Sequence, residues 1–382
     1  MFPSKKLTIP LWCRVCMWTV ALRALVGVVA LLIVSPNESK QTPPDGVLIW
    51  PTSDEMSVSS KAGAWDSAHY LRIAHYGYVK GDASCAFYPL WPYCLKWVNL
   101  AFKSSNTSAI WIGIIIANLL IFCGYYLLAQ IFQGHDQASP ECSAALVLFA
   151  STPGAMFLSV GYSEALTLFL AAVFFLSLRH EKWAFIAIAG FLLPLSRAVG
   201  VFCLAPLIWR AFQRRTDWRA WAACLAPLTG YATYFLLMWH WTGNPFEGFS
   251  AQKHYPNHPS LANIINLSQF FQSLCNIGSI LGMLDGGLDR LLFVLLILTL
   301  PALWRVNKEW FWWTVCVGII PAMSNWFFSY RRFLVMAFPV FYIWGQWLSP
   351  PDKLWMFRYY VILSAIVQGL LVWRYCNFLW AG

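Results

Sequence analysis

Trp65-Asp66-Ser67-Ala68-His69-Tyr70 gathers a carboxylate, an imidazole, a phenol and an indole into one short string. Read as a helix, it puts Asp66 on one face with His69 and Tyr70, at spacings of three and four, and Arg72 a step further round. A carboxylate suits hydroxyl groups and flat rings suit pyranose faces, so the string fits a sugar site. On spacing alone it fits equally a surface helix that Asp66 caps. Three other places hold charge among apolar residues. Tyr162-Ser163-Glu164 sits in the middle of a long apolar run, where Ser163 can cap a returning helix and Glu164 favours its dipole. Arg197 stands between Ser196 and Ala198, either snorkelling to a head group or meeting a specific anion. Tyr330-Arg331-Arg332-Phe333 offers two guanidiniums, a good match to a lipid phosphate through charge-assisted, bidentate hydrogen bonds. Gln252, Lys253 and His254 add polar groups from a later loop.

The elements that must position these residues follow from composition. Of 382 residues, 59% are hydrophobic and only 11% charged, against about 25% charged in soluble chains. Such a chain cannot cover itself in water, so the prediction is an all-α polytopic membrane protein. The net charge of +10 is scattered between apolar runs without a recognition motif. That pattern indicates positive-inside loops and anionic head groups, and no nucleic acid partner. The 11 cysteines are dispersed, and the Cys13/Cys16 pair reads as helix filling.

Lys5 and Lys6 before the first apolar run, Leu11 to Val34, put the amino terminus in the cytoplasm. A polar segment, 35–108, then lies on the opposite face, followed by the run Ala109 to Phe132. Two stretches, Ala144 to Leu178 and Trp183 to Trp209, are each interrupted in the middle. Drawn as hairpins of short helices, they return Arg179, Lys182, Arg210, Arg214 and Arg215 to the cytoplasmic side. Further runs are Trp218 to Trp241, Leu288 to Trp304, Trp310 to Phe328, Phe333 to Leu348 and Trp355 to Trp380, with a second outer loop at 242–287. The count is about eleven crossings (nine to eleven) in a single domain spanning 1–382. Asp285 and Asp289, at i and i+4, read as a solvated helix start rather than a cation site.

With the spans drawn, the motifs resemble a family. Residues 65–78, with Phe87-Tyr88-Pro89-Leu90 after them, resemble the first luminal loop of the PIG-V-type mannosyltransferases, a family with bacterial relatives. Tyr162-Ser163-Glu164-Ala165-Leu166 is similar to its Y-S-E-[SA]-L element and Ser196-Arg197-Ala198-Val199-Gly200 to its R-S-N-G element. Arg332-Phe333 with Phe338-Pro339 is similar to its R-[YF]…F-P element. Ala198-Val199 departs from the Ser-Asn usual there, which weakens a polar role at those two positions. The resemblance implies the GT-C membrane glycosyltransferase architecture, with a donor that is a polyprenyl- or dolichyl-phosphate mannose. It implies Asp66 as catalytic base and an inverting, α-mannosyl transfer to a glycolipid or other glycan hydroxyl.

The residues fit that chemistry. A carboxylate accepts the acceptor's proton as attack proceeds. The leaving lipid phosphate needs positive charge, which Arg197, Arg331 or Arg332 supplies. Trp65, His69, Tyr70, Arg72, Tyr162, Glu164, Gln252 and His254 are the expected substrate-binding residues. A single phosphate and the lack of a D-x-D string in the outer loop make the expected reaction independent of metal and of any cofactor. The site is expected on the extracytoplasmic face, in a bacterial plasma membrane for so compact a chain or in the endoplasmic reticulum of a eukaryote. The rival reading is a lipid or small-solute transporter or flippase, which should show inverted repeats and charges near mid-bilayer.

Overall fold

In lipid a backbone must satisfy its own polar groups, which leaves helices or closed barrels. The computed structural model describes residues 10–32, 47–51, 58–103, 105–133 and 139–382, and these are built from helices with two isolated bridges, Ile49 with Ala64 and Ser279 with Gly286. The predicted first outer segment, 35–108, lies partly outside the described residues. In chain order the helices are α1 (Leu11–Leu32), α2 (Val58–Ala62), α3 (Asp66–Tyr76), α4 (Leu90–Phe102), α5 (Asn106–Gln133) and α6 (Pro140–Ser151). They continue with α7 (Glu164–Arg179), α8 (Trp183–Ser196), α9 (Leu204–Gln213), α10 (Trp218–Ala223), α11 (Leu225–Thr242) and α12 (Glu247–Ser250). The remainder are α13 (Leu267–Cys275), α14 (Gly287–Val306), α15 (Lys308–Asn325), α16 (Tyr330–Met336), α17 (Pro339–Leu348) and α18 (Leu354–Cys376).

Among the described residues, four helical stretches are long and apolar enough to cross a bilayer: Asn106–Gln133, Trp218–Thr242, Gly287–Val306 and Pro351–Cys376. The protein is a polytopic membrane protein. Several of the eleven predicted crossings are shorter or broken. The expected run Phe333 to Leu348 is two helices, α16 and α17, because Pro339 lacks an N–H and starts the second one afresh.

Both interrupted stretches fold back on themselves. Arg210 and Arg214, at the end of α9, reach Glu181, just before α8, at 3.3 and 2.5 Å. Residues 183–213 therefore leave and return to one level, with Arg197 at the far tip. In the first stretch, Arg179 at the end of α7 donates to the Gln130 carbonyl near the end of α5, and Cys142 at the start of α6 approaches the Phe132 carbonyl. Ser163 and Glu164 thus occupy the other tip.

A hairpin tip exposes backbone carbonyls that no helix uses, and side chains from distant elements take them up. Trp91 Nε1 donates to Gly161 O at 2.9 Å, Asn118 Nδ2 to Ser159 O at 2.9 Å, and Gln368 Nε2 to Thr152 O at 2.8 Å. Arg23 of α1, buried, gives Nη2 to Ala150 O, Nη1 to Ser159 Oγ and Nε to Gln368 Oε1. Two glycines allow the close approaches that complete the tips. A Cβ on Gly200 would lie 2.0 Å from Leu193 O, where the 3-10 turn Ala198–Cys203 doubles back on α8. A Cβ on Gly154 would lie 2.0 Å from Arg331 O, where the turn Pro153–Leu158 meets α16.

Candidate active site

Asp66 is the first residue of α3, behind a Trp65 held at φ 59°, and no side chain caps that end. The surface-capping alternative is not what forms, since the carboxylate turns across the molecule to Arg332 Nη2 at 2.6 Å. Arg332 also meets Glu164 Oε1, through Nε and Nη2, both at 2.5 Å. The same oxygen receives Arg197 Nη1 at 2.8 Å. Four charges distant in sequence thus make one neutral chain: Asp66, Arg332, Glu164 and Arg197. Cation–π contacts enclose it, with Arg332 over Phe157 and Tyr162 at 5.1 and 5.0 Å and Arg197 over Phe333 at 5.9 Å.

Exposure separates the roles these groups can take. Asp66 keeps 23% of its side chain accessible, Glu164 only 1%. Of the two carboxylates, Asp66 can reach a ligand, and Glu164 is the buried counter-charge that holds two arginines in place. Arg197 is 16% accessible and Arg332 8%, but Arg331 is fully enclosed. Ser163 does not cap α7. Its hydroxyl lies 2.7 Å from Tyr70 Oη and accepts from Arg197 Nη1 at 3.3 Å, which knits α3 to both hairpin tips.

A cavity of about 960 Å³ opens over this chain. Of the residues singled out in the sequence, Trp65, Asp66, His69, Tyr70, Arg72, Arg197, Gln252, His254 and Arg332 line it. Glu164 and Tyr162 stand behind the wall. Arg72 is paired with Asp82 at 2.7 Å and is half exposed at the rim. His69 stacks on Phe87 with ring centres 4.6 Å apart, and its Nδ1 lies 2.9 Å from Ser84 Oγ. Burial, only partly offset by Asp66 and Asp82, pulls its pKa down to about 4, so at neutral pH His69 is an uncharged imidazole. Gln252 and His254 lie on the 3-10 turn Ala251–His254, whose loop is fastened by Glu247 accepting from Gly81 N at 2.7 Å and by Tyr255 donating to Ala83 O at 3.3 Å.

Arg331 is a correction. The sequence groups it with Arg332 as a phosphate-binding residue, but neighbours on a helix diverge by about 100°. Its guanidinium meets both oxygens of Asp289, at 3.1 and 2.5 Å, and donates to Ala381 O. It does not line the cavity. Asp289 is corrected with it: rather than starting a helix in solvent, it is 1% exposed and also accepts from Arg331 N at 2.7 Å. Sequence reasoning also missed Tyr255, Asn325, Phe328 and Trp380, which line the cavity from late in the chain. Nothing in their local spacing marks them. A backbone signal does stand near two of them: Trp326, Phe327 and Ser329 all have positive φ just before α16. Such strain persists only where surrounding structure enforces it.

A family profile described as Mannosyltransferase (PIG-V) matches residues 51–220, which include Asp66, Glu164 and Arg197. The chain resembles the PIG-V mannosyltransferases. The mouse (Mus musculus) protein described as GPI alpha-1,6-mannosyltransferase 2 is 28% identical over 186 residues, which cover 46% of this chain and 35% of that protein. The aligned part therefore spans about a third of that relative's length. Arg332 lies beyond the PIG-V match, yet it is the residue that joins Asp66 to Glu164.

Proposed function

We propose that this protein is an inverting mannosyltransferase that takes mannose from a polyprenyl- or dolichyl-phosphate donor and gives it to a hydroxyl of a lipid-linked glycan. The observation that carries this reading is the Asp66–Arg332–Glu164–Arg197 chain beneath a large cavity in a membrane protein. By analogy with the mouse relative, the linkage formed is α-1,6. The similarity to the PIG-V family supports the sugar and the class of reaction. No metal or cofactor is required by this scheme.

The charges account for the step. As the acceptor oxygen attacks the anomeric carbon, its proton passes to Asp66, whose charge goes from −1 to 0. The bond from that carbon to the phosphate oxygen breaks with its electron pair, and the phosphate gains one negative charge. Arg332, which pairs with the Asp66 carboxylate beforehand, is released by protonation as the phosphate calls for a cation. Arg197, the most accessible of the three arginines, holds the phosphate from the start. Glu164 keeps both guanidiniums oriented, so little reorganisation accompanies the charge shift. The basic ends of α7, α9 and α14 lie away from this cluster, so the positive-inside rule directs the cavity to the extracytoplasmic or luminal face.

The test uses purified protein in liposomes with labelled polyprenyl-phosphate mannose and extracted membrane lipids. Wild type should label a glycolipid. Asp66→Asn should keep its thermal stability in detergent and transfer about 10²–10⁴-fold more slowly. Undiminished turnover by Asp66→Asn would remove the base and with it the proposed mechanism. Translocation of an unaltered lipid without any transfer would favour the transporter.

A further inference from the structure

Residues 377–382 turn back from the end of α18 and run into the site. Phe378 adopts a left-handed conformation at φ 55°. Leu379 N bonds the Arg374 carbonyl, Arg374 Nε donates to Trp380 O at 2.6 Å, and Arg331 holds Ala381 O. This brings the Trp380 ring onto Phe328, stacked at 4.7 Å, and edge-on to Trp65 at 5.9 Å. Trp380 lines the main cavity together with Trp65 and Asp66. The same three residues also line a small void behind, against Phe157, Tyr162 and Tyr375. They form a partition, and its cavity side is an aromatic wall beside the carboxylate.

Each indole carries one N–H and no acceptor. Nε1 of Trp65 and Nε1 of Trp380 are both buried, with no hydrogen-bond partner among the described residues, so neither is open to the cavity. What the two neighbouring indoles present to the cavity is therefore ring surface, beside the Asp66 carboxylate, which suits a ligand with an apolar face and hydroxyl groups at its edge. A pyranose ring has both. We infer that Trp380, with Trp65, forms the wall that binds the transferred or receiving hexose ring beside Asp66. The inference rests on the mannosyltransferase reading and adds to it a binding residue 160 positions beyond the family match, which ends at residue 220.

The experiment compares Trp380→Phe and Trp380→Ala in the full-length protein, with thermal unfolding as the folding control. Equilibrium binding is measured in the Asp66→Asn background with two probes, polyprenyl-phosphate mannose and polyprenyl phosphate. Turnover is measured in the wild-type background with extracted lipid as acceptor. Trp380→Ala removes the aromatic face and should weaken the contact by roughly three- to tenfold, and Trp380→Phe, which keeps a ring, by less. Loss confined to the mannose-bearing probe assigns the wall to the donor ring. Unchanged donor binding with a raised acceptor KM assigns it to the acceptor ring. Equal loss for both probes, or no loss in either assay, overturns the inference while leaving the function standing. Failure of the Asp66→Asn protein to bind either lipid would instead count against the proposed function, and this inference would fall with it.

Discussion

At the residue scale, two arginines adjacent in sequence do different work because a helix points them apart. Arg331 belongs to a closed pair with Asp289, and removing one member of such a pair leaves a buried charge without its counter-ion. Asp289→Ala should therefore cost about 3–5 kcal/mol, read as a large fall in melting temperature in detergent. An unchanged melting temperature would show that Arg331 finds another partner. Glu164→Gln tests the other pair. It keeps the shape but removes the charge that orients Arg332 and Arg197, so transfer should fall while Asp66 remains in place. Arg197→Lys should raise donor KM, since an ammonium cannot span Glu164, Ser163 and a phosphate as a guanidinium does. His69 sets a pH dependence. Its folded pKa of about 4 lies below the ordinary value of 6.5, so between those values the unfolded chain binds a proton that the native protein refuses. Stability should fall as pH drops from 6.5 toward 4, by up to about 1.4 kcal/mol per pH unit. A melting temperature that is flat over that window in wild type, or equally steep in His69→Asn, would argue against this assignment.

At the element scale, the hairpin tips explain what was legible and what was not. The interruptions at Gly161–Glu164 and Ser196–Arg197 stand out in sequence because polar residues break long apolar runs. The matching of basic ends then argues for two short limbs rather than one tilted span. Limb length supports this: 14 residues of α8 rise about 21 Å, well short of a 30 Å hydrocarbon core. What the spacing could not reveal is which carbonyls the tips leave over and who takes them. Arg23 is the clearest case, since an arginine in the first apolar helix gives no local hint that it bonds α6, Ser159 and α18. The direction of Arg331 was hidden for the same reason: pairing with Asp289 depends on tertiary contact across 42 positions. Gly200→Ala tests the tip itself. A methyl group 2.0 Å from Leu193 O forces the turn off α8 and displaces Arg197, so activity should fall even where the protein still folds. Full activity in Gly200→Ala would mean the turn has room to shift without moving Arg197.

On the scale of the whole molecule, the four paired charges of the candidate site come from four separate parts of the chain: α3, α7, the break after α8, and α16. Each stands at the end of an element, where the backbone changes direction. The cavity is also lined by Gln252 and His254 of the 3-10 turn at Ala251–His254 and by Trp380, late in the sequence and beside Asp66. The family profile stops at residue 220, while Arg332 and Trp380 lie in the remainder. Because Arg331 grips both Asp289 and the Ala381 carbonyl, the tail that carries Trp380 is moored to the same short helix that carries Arg332. Any loosening of that anchorage would reach the candidate site from two directions at once, through the guanidinium beside Asp66 and through the indole next to it.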